Sequence, residues 1–547
     1  MKKKVFALLL CGLPLMISAQ DAFDVLQMSQ TELRGTSRFQ SMAGAFGALG
    51  GDLSTLTQNP AGIGVYRNSD LGITMSLDFN STKAGIDKMN ETKFNVNNVG
   101  YVGVVRLDSE SVPNLNFGFT YNRLQSFDRH YVGGVGSIPT SMSNYIADAF
   151  VNVPGYTEGD LYWTDDFNPY FDGYAPWAAV TTYDMKTNNG GYVGIINAND
   201  YGMQGLFGQG TTGNAYYEVE ERGHADEYNI AFGGNISNKV YFGLDFGIMD
   251  LDFKSFQAYE EELNNAYVMA DDEDLLYSPI VNENTRADWG LYNYLHSEGT
   301  GVNVKFGLIW RPTQALRIGA AVHTPTYYDM RDTYYVGASL KAYQDGNQLY
   351  SAEKGSNEGY DYSSTYTIST PWRFMGSVAG VIGTSGIVSL DYEYVANETM
   401  RIGDDRGNNY PDVTDNVETY FKPTHIIRLG GEYRVNPNWS LRAGYSFRLK
   451  SDKTSVVEKG VDNYDYNIAT VGTNPTYQYD NDVQYITCGL GYRHKSFYTD
   501  LSYVHKMRES VYNAFSPIND QYGYEPNVSA DVKDNNNRIS LTLGMRF

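Results

Sequence analysis

The last ten residues of the chain alternate between apolar and polar side chains. In residues 538–547 (RISLTLGMRF), every second residue from Ile539 to Phe547 is apolar, and the residues between them are Ser, Thr, Gly and Arg. This period of two predicts a β-strand with one apolar and one polar face. In a soluble sheet the apolar face meets a core, whereas in a transmembrane barrel it meets lipid and the polar face lines the lumen.

The same alternation recurs upstream. From Trp439 the apolar residues alternate with Ser, Arg and Gly, and from Val302 they alternate with Asn, Lys and Gly. Repeated arginine on the inner face of a soluble sandwich would be costly without partners, whereas a wet lumen accommodates it. We count fourteen such segments, an even number, as in single-chain bacterial barrels. They begin near Leu71, Asn95, Asn114, Glu227, Lys239, Gly301, Ala315, Tyr366, Thr384, Thr424, Asn438, Val483, Phe497 and Arg538.

Short and long connections alternate between these segments. Short ones are at 237–238, 311–314, 383–385, 436–437 and 494–495; long ones are at 80–94, 125–226, 261–300, 396–423, 451–482 and 508–537. An outer-membrane barrel has short periplasmic turns and long external loops, and a soluble sandwich does not. The sequence therefore predicts an all-β fold, a 14-stranded antiparallel transmembrane β-barrel over residues 69–547.

The first nineteen residues are typical of a secretory signal peptide. Lys2, Lys3 and Lys4 precede an apolar run at 5–17 and the small residues Ser18 and Ala19, which predicts export and cleavage after residue 19. No later segment reaches 18 uninterrupted apolar residues, so no transmembrane helix is expected. We therefore predict a monomer in the outer membrane of a Gram-negative cell, surrounded by lipid and lipopolysaccharide.

Charge and motifs argue against several classes of function. The formal net charge of -23 makes nucleic acid an improbable partner. The seven histidines are scattered, and neither HExxH nor GxSxG occurs. No catalytic residue, metal site or cofactor is predicted, and the protein is not expected to be an enzyme.

Residues 20–68 precede the first strand and lack its period. A fourteen-stranded barrel is too wide for side chains alone to fill, so an unplugged lumen would leak. Glycines at 44, 47, 50, 51, 62 and 64 allow tight turns, and Asn59-Pro60 favours a fixed turn. The segment is therefore predicted to form a hatch, a compact plug inside the barrel.

The hatch motif resembles a known family. Residues 43–52 (AGAFGALGGD) and 56–62 (LTQNPAG) resemble the N-terminal hatch of the FadL, OmpP1 and TodX outer-membrane transporters, which carries an Asn-Pro-Ala motif. Here the motif is Asn59, Pro60 and Ala61, followed by Gly62. The resemblance implies passive uptake of hydrophobic compounds, such as long-chain fatty acids or aromatic hydrocarbons, through an apolar lumen pocket that the hatch gates.

Two further features of the family can be compared with this sequence. The terminal Phe547 resembles the signal that the barrel-assembly machinery reads. In the family a kinked strand opens a side exit to the membrane; the equivalent segment at 114–124 has Gly118 but no proline, so no kink is predicted. Pro325 and Pro371 do interrupt strand-like runs, which implies a bulge or a strand end.

Two sets of apolar residues are candidates for ligand contact. The hatch has a small apolar side that we expect to face the lumen pocket, formed by Phe46, Leu49, Leu53 and Leu56. The loop at 125–226 has helical apolar spacing that predicts an extracellular collection surface, formed by Met142, Tyr145, Ile146 and Phe150. The alternative for the loop set is that these side chains pack the loop against its neighbours.

Other functions stay open at this point. A haem receptor, a label carried by relatives in the Bacteroidetes, would use His130, His224 and His296 on predicted outer loops as iron ligands. A surface adhesin would leave the hatch without a purpose. The acidic cluster at 271–274 (DDED) could bind calcium, although it lacks the spacing of an EF-hand.

Overall fold

The structure is a computed structural model. It describes residues 22–85, 87–151, 196–198, 202–269, 280–355, 362–453, 475–520 and 523–547. The predicted signal peptide at 1–19 and the acidic cluster at 271–274 lie outside these ranges.

Fourteen strands form a closed antiparallel barrel, as the alternation predicts. Each strand pairs with the next along the chain, and β1 pairs with β14 from Asp70↔Arg546 to Ala84↔Val532, which closes the cylinder. The strands are β1 Asp70–Ala84, β2 Asp87–Arg106, β3 Asn114–Ser126, β4 Thr212–Ile236, β5 Val240–Asn264, β6 Thr285–Trp310, β7 Leu316–His323, β8 Trp372–Ile382, β9 Gly386–Ala396, β10 Thr424–Arg434, β11 Trp439–Arg448, β12 Tyr477–His494, β13 Phe497–Asn513 and β14 Ser529–Arg546.

The outward face of the barrel carries an apolar belt. On β14, Ile539, Leu541 and Leu543 are 39–46% exposed, whereas Ser540 and Thr542 between them are completely buried. The same holds on the other strands, where exposed apolar residues alternate with buried polar ones. This is the reverse of a soluble protein, and it means that the outer face meets lipid and the inner face meets the lumen.

Short turns lie at one end of the barrel. Residues 237–239, 383–385 and 495–496 join β4 to β5, β8 to β9 and β12 to β13. The predicted long loop at 80–94 is wrong, because β1 continues to Ala84 and β2 begins at Asp87. These two strands form a tall hairpin instead.

Several other predicted loops are also too wide. The range 125–226 includes β4 from Thr212, 261–300 includes β6 from Thr285, 451–482 includes β12 from Tyr477, and 508–537 includes β14 from Ser529. Above the lipid belt the outward positions are polar too, as with Asp252 and Glu260 on β5. The alternation of apolar and polar residues disappears there, while the backbone hydrogen bonds between strands continue. The sequence pattern therefore underestimates the length of each strand at its outer end.

Further strand segments extend the outer wall. Arg129–Gly136 continues β3, Tyr327–Gln344 continues β7, and Tyr362–Ser369 leads into β8. Pro325 and Pro371 lie in the breaks beside β7 and β8, where a missing N–H ends the ladder. The remaining segments are Asn347–Gly355, Arg401–Gly403 and three short hairpins, namely Ile196–Ala198 with Gly202–Gln204, Val268–Met269 with Ile280–Val281, and Ile518–Asp520 with Gly523–Glu525.

The helices belong to the hatch and to the outer loops. The hatch contains α1 Ala22–Ser29, α2 Ser37–Ser41, α3 Thr55–Gln58 and a 3-10 turn at Pro60–Val65; the loops contain α4 Met142–Val151, a 3-10 turn at Asn397–Thr399 and α5 Pro411–Tyr420. Helix α2 begins after Thr36, whose hydroxyl accepts the Phe39 N–H as an N-cap. In the part of the chain that the structure describes, no helix is long and apolar enough to cross a membrane.

Candidate functional site

The hatch lies inside the barrel and is bonded to the wall on several sides. The Ser37 N–H donates to Thr542 Oγ1 on β14 at 2.7 Å, and the Gly47 N–H donates to Asp391 Oδ2 on β9 at 2.8 Å. Further hydrogen bonds join the hatch to β3 and β12. Because these strands lie around the circumference, the segment fills the cross-section of the lumen.

The Asn-Pro-Ala motif joins two parts of the hatch to each other. Asn59 Oδ1 accepts the Ala61 N–H at 3.1 Å and so caps the 3-10 turn, while Asn59 Nδ2 donates to the Gly47 carbonyl at 2.6 Å. Pro60 occupies the first turn of that helix, where its missing N–H costs nothing. A Cβ at Gly62 would lie 2.5 Å from Thr55 Oγ1, so only glycine fits at this close approach.

Glycines on the wall leave room for the hatch backbone. A Cβ at Gly307 on β6 would lie 2.7 Å from the Ala61 nitrogen and closer still to Asn59 Oδ1. Gly430 on β10 and Gly444 on β11 are covered in the same way by Met42. The inner surface of the barrel is therefore shaped to the hatch at several strands.

Buried ion pairs also join the hatch to the wall. Arg38 pairs with Glu432 at 2.9 Å, and Arg34 pairs with Asp78 at 3.0 Å. Glu32 pairs with Lys506 at 2.5 Å. Burial alone would raise the pKa of Glu32, but the charges of Lys506, Arg34 and nearby Arg538 outweigh it and hold that pKa well below its usual range. Removing one partner of such a pair leaves the other charge buried without a counter-charge, which is costly.

A cavity of about 140 Å³ lies between the hatch and the wall, above the plugged section. Hatch residues 28–35 form one side of it. Its apolar lining includes Met28, Leu33, Phe39, Leu124, Met249 and Tyr328; its charged lining is Glu32, Arg34, Arg123, Glu227, Lys305, Arg373, Glu393, Arg428 and Arg448. The cavity is thus amphipathic, with more cations than carboxylates.

One cluster of charged side chains in this cavity contains more cations than anions. Glu393 is shared by Arg373 at 2.9 Å and Arg428 at 2.5 Å, so two guanidinium groups face one carboxylate. Arg428 Nη1 is buried and has no hydrogen-bond partner among the residues that the structure describes. The triad therefore carries one net positive charge.

No protein-family model matches the chain, and no curated protein matches it in sequence. Solved structures match it over almost the whole length. A FadL homologue from Pseudomonas aeruginosa is 12% identical, with 95% of this chain and 100% of that chain covered and a TM-score of 0.49. The toluene transporter TbuX from Ralstonia pickettii is 13% identical (94% and 99% covered, TM-score 0.44), and TodX from P. putida is 11% identical (94% and 99%, 0.45).

The chain resembles the FadL-type channels. The likeness extends over almost the whole of this chain and of each matched structure. At these identities and TM-scores it carries no ligand, mechanism or residue role over to this chain. The functional argument therefore depends on the geometry of the chain itself.

The four hatch residues predicted to contact ligand are packed against the wall. Phe46 and Leu49 belong to an apolar cluster with residues of β8, β12 and β13, while Leu53 and Leu56 belong to one with residues of β2 and β4. All four are at most 4% exposed, and none lines the three described cavities. Contact between these residues and a ligand stays a prediction, and it requires the hatch to move.

The predicted collection surface is wrong for two of its residues. Met142 and Ile146 are completely buried, because α4 turns its apolar face toward the core of the outer loops. Tyr145 stacks on Phe515 with ring centroids 5.6 Å apart. The side chain of Phe150 lies outside the described residues. The alternative interpretation, that this set packs the loop, fits the three side chains that are described.

The three histidines proposed as haem ligands each lie beside a carboxylate. His130 lies beside Glu218 at 2.8 Å, His296 beside Asp252 at 3.0 Å, and His224 near Asp226 at 3.5 Å. Within the described ranges, no three His, Cys, Asp or Glu side chains are grouped to hold a metal ion. The histidine of the lumen is His323, which lines the cavity and donates from Nε2 to the Gln58 carbonyl at 2.8 Å.

Sequence analysis missed the charged lining of the cavity and a break in β3. Each charge is one polar residue on an alternating strand, so the pattern predicts that it faces inward but not which charge lies opposite. The register between β3 and β4 shifts between Arg123 and Gln125, and Leu124 at this bulge lines the cavity. No proline signals the bulge.

Proposed function

We propose that this chain is an outer-membrane channel for the passive uptake of hydrophobic small molecules, closed by its N-terminal hatch. The observation that carries the proposal is a membrane barrel whose own leading segment fills the lumen beneath an amphipathic cavity. A plug that is held by hydrogen bonds and ion pairs can be released, and a releasable plug is useful only in a channel. The apolar belt supports the membrane location.

We further propose that the ligands include amphipathic anions of the long-chain fatty acid type. Met28, Leu33 and Tyr328 offer apolar contact for a chain, and the Arg373–Glu393–Arg428 triad offers an unpaired guanidinium nitrogen for a carboxylate. Hydrogen bonds between ionised partners are about twice as strong as neutral ones. The triad would therefore hold the head group while the tail lies on the apolar side.

The size of the cavity supports gating by the hatch. An apolar cavity of about 150 Å³ holds a molecule of the size of benzene, and pockets for larger ligands are typically about 300–1,000 Å³. The cavity of about 140 Å³ is therefore too small for a fatty acid. Part of residues 28–35 has to move before such a ligand binds.

The test is uptake by Gram-negative cells that lack their own long-chain fatty acid channel. The wild-type chain is expected to restore uptake of radiolabelled oleate and of toluene. Arg428→Met removes the free donor and leaves Glu393 paired with Arg373, so oleate uptake at low concentration should fall about tenfold or more, since a hydrogen bond to a charged group contributes about 1.5–3 kcal/mol. Toluene uptake should not change.

The matched control is Arg286→Met. Arg286 is half exposed and pairs with Asp288 away from the cavity. This variant should transport both compounds like the wild type. If the wild-type chain restored uptake of neither compound, the channel would be contradicted. If Arg428→Met reduced oleate and toluene uptake equally, the anion site would be contradicted.

A further inference from the structure

Four aromatic rings surround Phe23 at the outer end of the lumen. Its ring centroid lies 5.7 Å from Tyr420, 5.2 Å from Phe421, 5.5 Å from Tyr477 and 5.8 Å from Tyr479. Tyr420 stacks on one face, while Phe421 and Tyr479 present edge contacts. We call these four residues the aromatic cage. An aromatic ring has a π quadrupole that stacked and edge contacts match, and an aliphatic ring lacks this quadrupole. The cage geometry therefore favours an aromatic ring over an aliphatic one.

The cage and its occupant come from different parts of the protein. Tyr420 and Phe421 end α5, and Tyr477 and Tyr479 begin β12, so the cage belongs to the barrel and its loops. Phe23 belongs to α1, a helix of eight residues that precedes the body of the hatch. The cage residues therefore do not belong to the segment that carries Phe23.

The body of the hatch is anchored separately from α1. Residues from Glu32 onward make their own ion pairs and hydrogen bonds to the wall, as Arg34 does with Asp78 and Gly47 with Asp391. Helix α1 buries an apolar face, and its polar contacts include Gln27, whose amide donates to Glu221 at 2.9 Å. Displacing α1 does not require the lower contacts to break.

All three described cavities border α1 or the residues that follow it. Met28 lines the largest one, Gln27 lines one of about 50 Å³, and Leu26 lines one of about 30 Å³. Each is too small for a sizeable hydrophobic ligand. Gln30 and Thr31, which directly follow α1, line all three.

We infer that the aromatic cage is a binding site for one aromatic ring of an incoming hydrophobic compound, such as an alkylbenzene, and that Phe23 occupies this site in the closed channel. The compound gains access by displacing α1 while the body of the hatch stays docked. This inference rests on the proposed function and assigns the first step of uptake to α1.

Thiol labelling of the full chain in lipid vesicles tests the inference. Cys488, the free cysteine of the described residues, is replaced by Ser, and a single cysteine is placed at Ala22 in α1 or at Ala48 in the hatch body. Both alanines are at most 1% exposed. Toluene should increase the rate of labelling by a charged maleimide about tenfold for Ala22→Cys and leave Ala48→Cys unchanged. Cyclohexane should have a much smaller effect.

Two variants of the cage separate this site from general loosening. Phe23→Ala should make the cysteine at 22 react rapidly without toluene, because the occupant of the cage is gone. Phe421→Ala removes one ring of the cage and should abolish the response to toluene, with heat-modifiable migration showing that the barrel is folded.

The outcomes distinguish this inference from the proposed function. No response of Ala22→Cys to toluene, an equal response of Ala48→Cys, or an equal effect of cyclohexane would each overturn it, even if cells take up oleate. A toluene response at residue 22 without uptake by cells would retain the site and refute the channel.

Discussion

A single methyl group on the barrel wall should unseat the hatch. In the Gly307→Ala variant the new Cβ would lie 2.7 Å from the Ala61 nitrogen and closer to Asn59 Oδ1. The wall strand is fixed by ladders to β5 and β7, so the Asn-Pro-Ala motif has to shift instead. The change therefore acts on the hatch and not on the barrel.

The size of the effect follows from the contacts of Asn59. A shift of that kind breaks the bond from Asn59 Nδ2 to the Gly47 carbonyl and the cap from the Ala61 N–H. Each net bond contributes about 1 kcal/mol, and a buried carbonyl left without a partner costs roughly 1–3 kcal/mol more. Docking of the hatch should weaken by about 3–5 kcal/mol in total. At about 1.4 kcal/mol for each factor of ten, the undocked fraction rises roughly 100-fold or more.

Conductance in planar bilayers and liposome swelling in arabinose measure the result. The matched control is Gly376→Ala on β8, where a Cβ would meet nothing within 4 Å; it should behave as the wild type. The Gly307→Ala variant should show frequent openings and faster swelling with unchanged heat-modifiable migration. Equal conductance of the two variants would refute the claim that the motif seals the lumen.

Two further predictions concern buried charges. Glu432 lies between Arg38 of the hatch at 2.9 Å and Arg442 of β11 at 2.6 Å. The Glu432→Gln variant leaves Arg38 buried without this partner, which costs about 3–5 kcal/mol, whereas the Arg38→Met variant leaves Glu432 paired with Arg442. Arabinose leakage should therefore be higher in Glu432→Gln, and equal leakage of the two variants would contradict the ion-pair argument. Above the lipid belt, burial raises the pKa of Glu261, which accepts the Met142 N–H and the Tyr259 hydroxyl, from 4.5 to about 7. Because the folded protein holds this proton more tightly than the unfolded one, the stability from Glu261 is full below about pH 4.5 and is lost as the pH rises to about 7. Amide exchange at the start of α4 should accelerate across that range, and a Glu261→Gln variant that kept the same pH dependence would exclude this carboxyl as its cause.

The lipid belt was predictable because it imposes the strongest pattern on the sequence. Hydrocarbon demands an apolar residue at each outward position, so strands such as β11 and β13 begin within a residue of their predicted starts. Beyond the belt both faces are polar, and β4 and β6 extend about fifteen residues further outward than the pattern indicates. The hydrogen bonds that hold those outer parts leave no period in the sequence.

The candidate site was predictable in outline only. Glycines and Asn59-Pro60 indicate a compact hatch, but apolar residues such as Phe46 and Leu56 turned out to fill the contact with the wall. The cavity depends on pairs such as Arg428 and Glu393, which lie 35 residues apart and meet only because β9 and β10 are neighbours. Which charges meet is a property of register and depth, and neither follows from alternation.

The height of the outer wall determines where a compound first meets the protein. Strand β5 has 25 residues, of which about 10 suffice to cross the hydrocarbon layer. The other ~15 residues raise the rim by roughly 35–40 Å at the usual rise and tilt. Under the function proposed above, a compound therefore first meets the protein at a rim that lies well beyond the hydrocarbon layer.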